Sequence, residues 1–453
     1  MALLLSTPGV FVEEISLLAP SVVEVGTAIP AFIGHTEKGQ DLGPTRIDSM
    51  IDYAQFFGGP KLAEYQVAVA VDGTFAITQA ENYNKHLLYH QVRMHFANGG
   101  GSCYITSTGT YATLPTKDTL LGINGLALIE KEDEPTLLIF PDAANMAKEG
   151  VGVNEKPGSF AVYEAALLQC GLKKDRFVIM DLKTDQVQAF RDKGPSVNLN
   201  YGAAYTPYLA TSIVVPYKEE NVKITGIVIT DVADVRLSSL KTGANNQLYN
   251  RVKNELSKFT LDMPPCGAVS GAYARVDRDR GVWKAPANVG LLGILGPTEK
   301  ISDTAQERLN VHESGKSINA IRSFSGKGTL IWGARTLDGN SNEWRYVNVR
   351  RLFIMIEESI QKACAFAVFE PNTASTWLKV KAMIESFMYS LWQRGALAGA
   401  SPKEAYRISV GLGITMTEQE VNEGLMRVRV AVAAVRPAEF ILLEFSHKLV
   451  TEN

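Results

Sequence analysis

What most constrains this 453-residue chain is that both ends are apolar β-type runs, punctuated by proline, with no partner strand beside them in sequence. Near the start, Thr7-Pro8-Gly9 opens the run Val10-Phe11-Val12-Glu13-Glu14-Ile15, and Pro20 closes it. At the far end, Arg427 to Val435 begins with alternating Arg and Val like a half-buried strand, Pro437 interrupts, and Phe440-Ile441-Leu442-Leu443-Glu444-Phe445 follows. Pro437-Ala438 is not the Asn-Gly type of link that folds two strands into a tight hairpin, so the last run is expected to leave its own sheet. Burying Phe440, Ile441, Leu442, Leu443 and Phe445 contributes roughly 1.5–3 kcal/mol each. Ordering the backbone costs about 1–2 kcal/mol per residue, so such an arm gains little alone. Docked on a neighbour's sheet edge it also gains backbone hydrogen bonds, and a chain donating strands at both ends builds a mesh. The other reading, edge strands of the chain's own domain, stays open on pattern alone.

Bulk properties set limits on partners. Lys and Arg number 45 against 48 Asp and Glu, a formal net charge of −3, so no global basic field invites direct nucleic-acid binding. Cys103, Cys170, Cys266 and Cys364 lack C-x-x-C spacing, which argues against a disulfide framework and a zinc site and fits a reducing cytosol. Met1-Ala2-Leu3-Leu4-Leu5 lacks a basic segment before it and is not expected to act as a signal peptide. No apolar run approaches the ~18 residues of a membrane span.

Along the chain, Thr27 to Gly34 reads as a short buried strand, Asn84 to Phe96 as a helix ended by Asn98-Gly99-Gly100-Gly101, and Cys103 to Thr106 as a strand. From about Leu126, strands at Leu137–Phe140 and Phe177–Met180 alternate with a helix at Phe160–Leu168, which argues for a βαβ domain with a parallel sheet. Asp277-Arg278-Asp279-Arg280-Gly281 reads as a charged loop at a boundary. Beyond it an α+β unit is expected: a strand at Gly328–Gly333, a long helix from about Val349 stopped by Pro371, and a helix from Ser375 or Thr376 to Gly395. In that last helix Trp377, Val380, Ile384, Phe387 and Leu391 form an apolar stripe.

Candidate chemistry is weak throughout. Gly315-Lys316-Ser317 looks like the end of a phosphate loop, but Asn310 stands where the leading glycine belongs. His86 and His90 have the spacing of H-E-x-x-H, yet Leu87 replaces the glutamate that would act as general base. Asp142 and Asp181 stand at the carboxyl ends of expected parallel strands, the enzyme position in α/β folds. They are the best candidates for the alternative reading, an α/β hydrolase or phosphate-handling enzyme, although capping of following turns explains them as well. No histidine occurs between Phe96 and Val311, so that region holds no Ser-His-Asp triad of its own. We therefore expect no catalytic, cofactor-binding or metal residues, and expect Lys316→Ala, His90→Ala and Asp142→Asn to be harmless.

Ordered segments across nearly the whole chain resemble the tail sheath proteins of contractile phages and of phage-tail-like contractile injection systems. The resemblance is carried by Thr7–Glu14, Pro30–Gly34, Asn98–Tyr104, Gly281–Asn288, Asn319–Phe324, Trp332–Leu337, Trp344–Leu352, Glu357–Ile360 and Val368–Asn372. It implies a subunit that stacks in hexameric rings as a helical sheath around an inner tube protein, exchanges its terminal strands with neighbours, joins baseplate and cap proteins, and contracts. The implied fold is α/β and α+β multidomain. Its parts are an N-terminal strand-donating arm (1–20), an N-terminal sheath domain (21–120), and an α/β domain that is subtilisin-like in architecture but non-catalytic (121–285). An α+β C-terminal sheath domain (286–436) and a C-terminal strand-donating arm (437–453) complete it. Residues 214–256 match no motif and are expected to decorate the outer surface. Strand exchange falls to Val10, Phe11, Val12, Glu13, Phe440, Ile441, Leu442, Leu443 and Phe445. The family's tube-attaching helix corresponds to about Ile384–Leu397 with Trp392 and Arg394, and Lys403 lies in the loop that follows. The resemblance places assembly in a bacterial cytoplasm and the product in a phage tail or extracellular contractile particle.

Overall fold

Short runs of Leu, Ile, Val and Phe bounded by turn residues build the centre of the molecule. Strands in a parallel sheet are covered on both faces, so they read as continuous apolar runs rather than as alternation. Six parallel strands make the sheet, β3 and β4 showing that pattern most fully: β1 (Pro30–Thr36), β2 (Cys103–Thr110), β3 (Leu137–Ile139), β4 (Phe177–Asp181), β5 (Gly202–Thr206) and β6 (Ile318–Phe324). Every residue of β1, β3, β4 and β5 is buried. The computed structural model describes residues 21–70, 72–79, 83–152, 155–226, 235–242 and 245–440. These divide into two units, one of residues 25–356 with 436–440, the other of residues 21–24 with 357–435.

In the larger unit the parallel strands lie in the order β2-β1-β3-β4-β5-β6. Antiparallel Thr45–Ile47 flanks β2, while Gly328–Ile331 and Val289–Gly290 extend the other edge to give nine strands. The chain winds outward from β1 to β2, then returns to β3 and proceeds the other way, so the strand order reverses between β1 and β3. That is the doubly wound arrangement, with its switch point at those two strands.

The expected boundary at 120/121 runs through this sheet, because β1 is paired with β2 on one side and with β3 on the other. The expected boundary at 285/286 fails for the same reason, since β6 pairs with β5. The described residues within 214–256 are built into this unit. Tyr217–Thr225 pairs in parallel with Ala63–Val69, Leu209–Val214 pairs with Thr260–Met263, and Leu237, Leu240, Val252 and Leu256 are fully buried.

Helices α1 (Leu88–Ala97), α2 (Ser159–Lys173), α3 (Val187–Lys193) and α4 (Cys266–Arg280) belong to this unit. The run Asp277 to Arg280 is the last turn of α4 rather than a loop. Close crossing of α1 and α4 depends on Gly267 and Gly271: a Cβ at 267 stands 2.2 Å from the Gln91 carbonyl oxygen, and one at 271 stands 2.3 Å from that of His95.

In the smaller unit α6 (Ala374–Gln393) buries Val380, Met383, Ile384, Phe387, Met388 and Leu391, the expected stripe, with Trp377 half-buried. Ahead of it, α5 (Val347–Ala363) crosses the division at 356/357 and ends well before Pro371, through a 3-10 turn at Cys364–Ala367. Strands β7 (Tyr406–Ser409) and β8 (Arg429–Val432) form an antiparallel two-stranded ribbon.

Candidate functional site

In doubly wound sheets ligands bind outside the carboxyl ends of the strands at the switch point. Here that position lies beyond β1 and β3, and it is filled by the chain itself. Asp142, just after β3, is 1% exposed. Its Oδ2 accepts the His35 N–H at 2.7 Å, and its Oδ1 accepts those of Leu87 and Leu88 at 2.6 and 3.2 Å. The carboxylate therefore ties the start of α1 to the end of β1. Gly34 makes this approach possible, since a Cβ there stands 2.5 Å from Asp142 Oδ2. Asn145 and Asn84 bond across the same place at 2.9 Å, and His35 and His86 stack at 5.5 Å, both buried. Burial pushes Asp142 up to about 7 against its three N–H donors. Burial also pushes His86 down to about 4, assisted by the charges of His35 and Lys61. A carboxylate with both oxygens engaged by backbone donors has no substrate-facing atom.

The other sequence candidates are likewise structural. Asp181 Oδ1 accepts the Cys266 N–H at 2.8 Å, which satisfies the start of α4, and burial pushes its carboxyl up to about 7. Both aspartates thus hold helices remote in sequence rather than the turns that follow them. His95 bonds Ser270 Oγ at 2.9 Å and the Gly101 carbonyl at 3.1 Å, joining α1 to α4. His90 and His95 are held down to about 4 by burial. Lys316 is 7% exposed and donates Nζ to the carbonyls of Phe190, Arg191 and Gly194 at 3.3, 2.9 and 3.3 Å, at the C-terminal end of α3. An ammonium is favourable there because the last carbonyls of a helix lack intrahelical partners. Lys316 and Asp142 thus help to hold the fold through their hydrogen bonds, and His90 is buried within α1. Among the described residues no group of three or more His, Cys, Asp or Glu is placed to hold a metal, and no helix is long and apolar enough to cross a membrane.

At the end of α6, Trp392 is half-buried and donates Nε1 to the Gly399 carbonyl at 3.1 Å, while Lys403 is exposed. Arg394 pairs with Glu24, which lies near the start of the described residues. Both side chains are partly exposed, 41% and 38%, and pairs of this kind contribute only about 0–1 kcal/mol.

Near both ends of the described residues the chain is held by arginine–carboxylate clusters that sequence reasoning missed. On the N-terminal side, Arg351 grips Asp277 through both nitrogens at 3.1 and 2.5 Å and donates to the Thr27 carbonyl at 2.7 Å. Thr27 Oγ1 returns a bond to Asp277 at 2.6 Å. On the C-terminal side, Glu439 accepts Arg335 Nε at 2.9 Å and Nη2 at 2.6 Å, Asn310 Nδ2 at 2.7 Å and the Tyr346 hydroxyl at 3.2 Å. Burial raises the Glu439 carboxyl, but these donors outweigh it and the net direction is downward. Arg335 and Glu439 are 104 positions apart, so no local spacing reveals the pair. Of the expected strand-exchange residues, Phe440 is described and is 77% exposed. Val10, Phe11, Val12, Glu13, Ile441, Leu442, Leu443 and Phe445 lie outside the described residues.

The fold is of the mixed α/β class with a large parallel-rich sheet, and comparison with known proteins supplies the family. The phage tail sheath C-terminal domain family matches residues 340–448. The sheath of an extracellular contractile injection system, PVC, in its contracted state is 31% identical over 99% of both chains, with a TM-score of 0.65. A chain of the six-fold symmetrised baseplate of the anti-feeding prophage is 31% identical over 98% of this chain and 100% of its own, with a TM-score of 0.67. The tail sheath protein of Vibrio phage KVP40 is 26% identical over 136 residues, 30% of this chain and 20% of that longer protein. The chain belongs to the contractile tail sheath family, whose members are structural proteins and not enzymes.

Proposed function

We propose that this chain polymerises with copies of itself as helically stacked hexameric rings around an inner tube protein, and contracts to drive that tube through a target envelope without nucleotide hydrolysis. Baseplate and cap proteins are its further partners, assembly takes place in a bacterial cytoplasm, and the finished particle is extracellular or part of a phage tail. The observation that carries this reading is the full-length likeness, at 31% identity, to a contracted injection-system sheath. Electron microscopy of the full chain co-expressed with its tube protein tests it: striated tubes of two lengths are expected, and discrete globular particles refute it.

Within that function the arms are strands donated to neighbours, through Val10–Glu13 at one end and Phe440–Phe445 at the other. The ribbon β7–β8 supports this, because among the described residues each strand pairs only with the other, leaving two outer edges. A two-stranded ribbon is marginal alone and gains from added strands. The end of α6, with Trp392, Arg394 and Lys403, faces the tube. Deleting residues 1–15, or everything after Pro437, is expected to leave a folded subunit that no longer forms sheath, and normal tubes from either deletion refute the assignment of that arm.

A further inference from the structure

We infer that Arg335 and Arg351 are positioning residues that fix where the two arms leave the larger unit, and so set the register in which each arm meets a neighbour. This rests on the proposed strand exchange and names a device that serves it. Residues 436–440 include no buried position, and Phe440 points largely to solvent. Apolar packing therefore does not hold this segment. What holds it is the Glu439 carboxylate, whose two oxygens receive four donors from Arg335, Asn310 and Tyr346.

The N-terminal root repeats the design. Residues 21–29 have no buried position either, and the chain is pinned at Thr27, which donates to Asp277 and accepts from Arg351. Arg351 is itself fixed: it lies over the Tyr273 ring at 4.6 Å, and the Tyr273 hydroxyl meets that of Tyr205 at 2.5 Å. Each pin centres on one residue close to an end of the described residues, Thr27 at one end and Glu439 at the other.

Such a pin matters for a donated strand because side chains alternate with a period of two, and a slip of one residue turns every apolar group to the wrong face. A fixed root also removes part of the ordering that docking otherwise requires. Arg335 is itself held in place, since its Nη1 donates to the carbonyls of Asn310 and Gly339, each at 3.3 Å.

The test uses the full chain with Glu439→Ala and Thr27→Val, and deletion of 441–453 as a control on strand exchange itself. For each, the concentration at which half the protein sediments as sheath is measured, with the melting midpoint of the unassembled chain and hydrogen exchange over 436–440 or 25–29. Glu439→Ala is expected to raise the half-assembly concentration about tenfold, the equivalent of re-ordering roughly one residue. Exchange over 436–440 accelerates. Because the buried Arg335 loses its carboxylate the melting midpoint falls as well, but the half-assembly concentration rises by more than an equal loss of stability elsewhere in the larger unit produces. Thr27→Val acts in the same direction over 25–29. If the deletion abolishes sheath but Glu439→Ala assembles at the parental concentration, the pin has no positioning role. If Val178→Ala, a core substitution in β4 that lowers the melting midpoint without touching either pin, raises the half-assembly concentration as much as Glu439→Ala at an equal loss of midpoint, the cluster only stabilises the fold and the inference is overturned. If the deletion itself assembles normally, the donated-arm reading is what fails.

Discussion

Lys316 separates a nucleotide-binding subunit from a purely structural one, and its replacement by methionine is the sharpest available test. Methionine keeps the length and the apolar stem but removes the ammonium, leaving the carbonyls of Phe190, Arg191 and Gly194 without their donor. One of the three bonds is short, at 2.9 Å, and two are long, at 3.3 Å. A charged hydrogen bond contributes about 1.5–3 kcal/mol net, and relief from burying the ammonium offsets part of the loss. We expect Lys316→Met to cost about 2 kcal/mol. At about 2–4 °C per kcal/mol for units of 150–250 residues, and less for larger ones, the melting midpoint falls by about 3–5 °C. Differential scanning calorimetry of the unassembled chain, with and without ATP and magnesium, reads both questions. A bound nucleotide at about 100 times its dissociation constant adds about 2.7 kcal/mol and raises the midpoint visibly. A parental midpoint that rises with ATP and a Lys316→Met midpoint that does not would refute the structural account, as would a variant that melts like the parent.

Three further outcomes follow from the geometry. Gly271→Ala places a methyl group 2.3 Å from the His95 carbonyl oxygen, so α1 and α4 must separate; we expect a loss of about 1–3 kcal/mol in urea unfolding, despite alanine's better helix propensity. Asp181, held up to about 7 by burial, keeps its proton in the folded chain where the unfolded chain loses it, so its contribution to stability rises as pH falls from 7 towards 4. Relative to the parent, Asp181→Asn should therefore lose about 3–4 kcal/mol between roughly pH 8 and pH 4, and a gap independent of pH refutes the burial argument. Charge reversal at exposed Lys403 should weaken tube-bound extended sheath while tube-free contracted sheath still forms in electron micrographs. Equal loss of both forms removes Lys403 from the tube contact.

The elements that were legible in the sequence are those whose cause is local. Leu137–Ile139 and Phe177–Asp181 are short apolar runs bounded by turns, and α6 announces itself through Val380, Ile384, Phe387 and Leu391 at helical spacing. What sequence concealed is non-local. The reversal at β1 places residues 30–36 between 103–110 and 137–139, and no periodicity along the chain encodes which strand lies beside which. The last turn of α4 was read as a loop because Asp-Arg-Asp-Arg has no apolar period, yet the helix carries it through backbone bonds ending at Gly281. In the sequence Lys316 ends an incomplete phosphate loop, and Asp142 stands at a strand end as an enzyme candidate or a turn cap. Their structural roles were hidden because the groups they satisfy, at 190–194 and at 35, 87 and 88, lie far away in sequence.

The filled switch point explains how an enzyme-like sheet serves a structural protein. In a ligand-binding doubly wound fold the strand ends at the reversal remain open, and their backbone and side-chain polar groups face the ligand. Here the segment before α1 occupies that place, so Asp142, just after β3, is spent on three of the chain's own N–H groups, and Gly34 of β1 makes room for it. Burying that carboxylate is unfavourable, as its raised pKa records, and the compensation is that α1 cannot shift on the sheet without stripping three donors from it. A subunit that transmits force needs an inextensible interior more than an open crevice, and exchange of ligand space for internal hydrogen bonds supplies one.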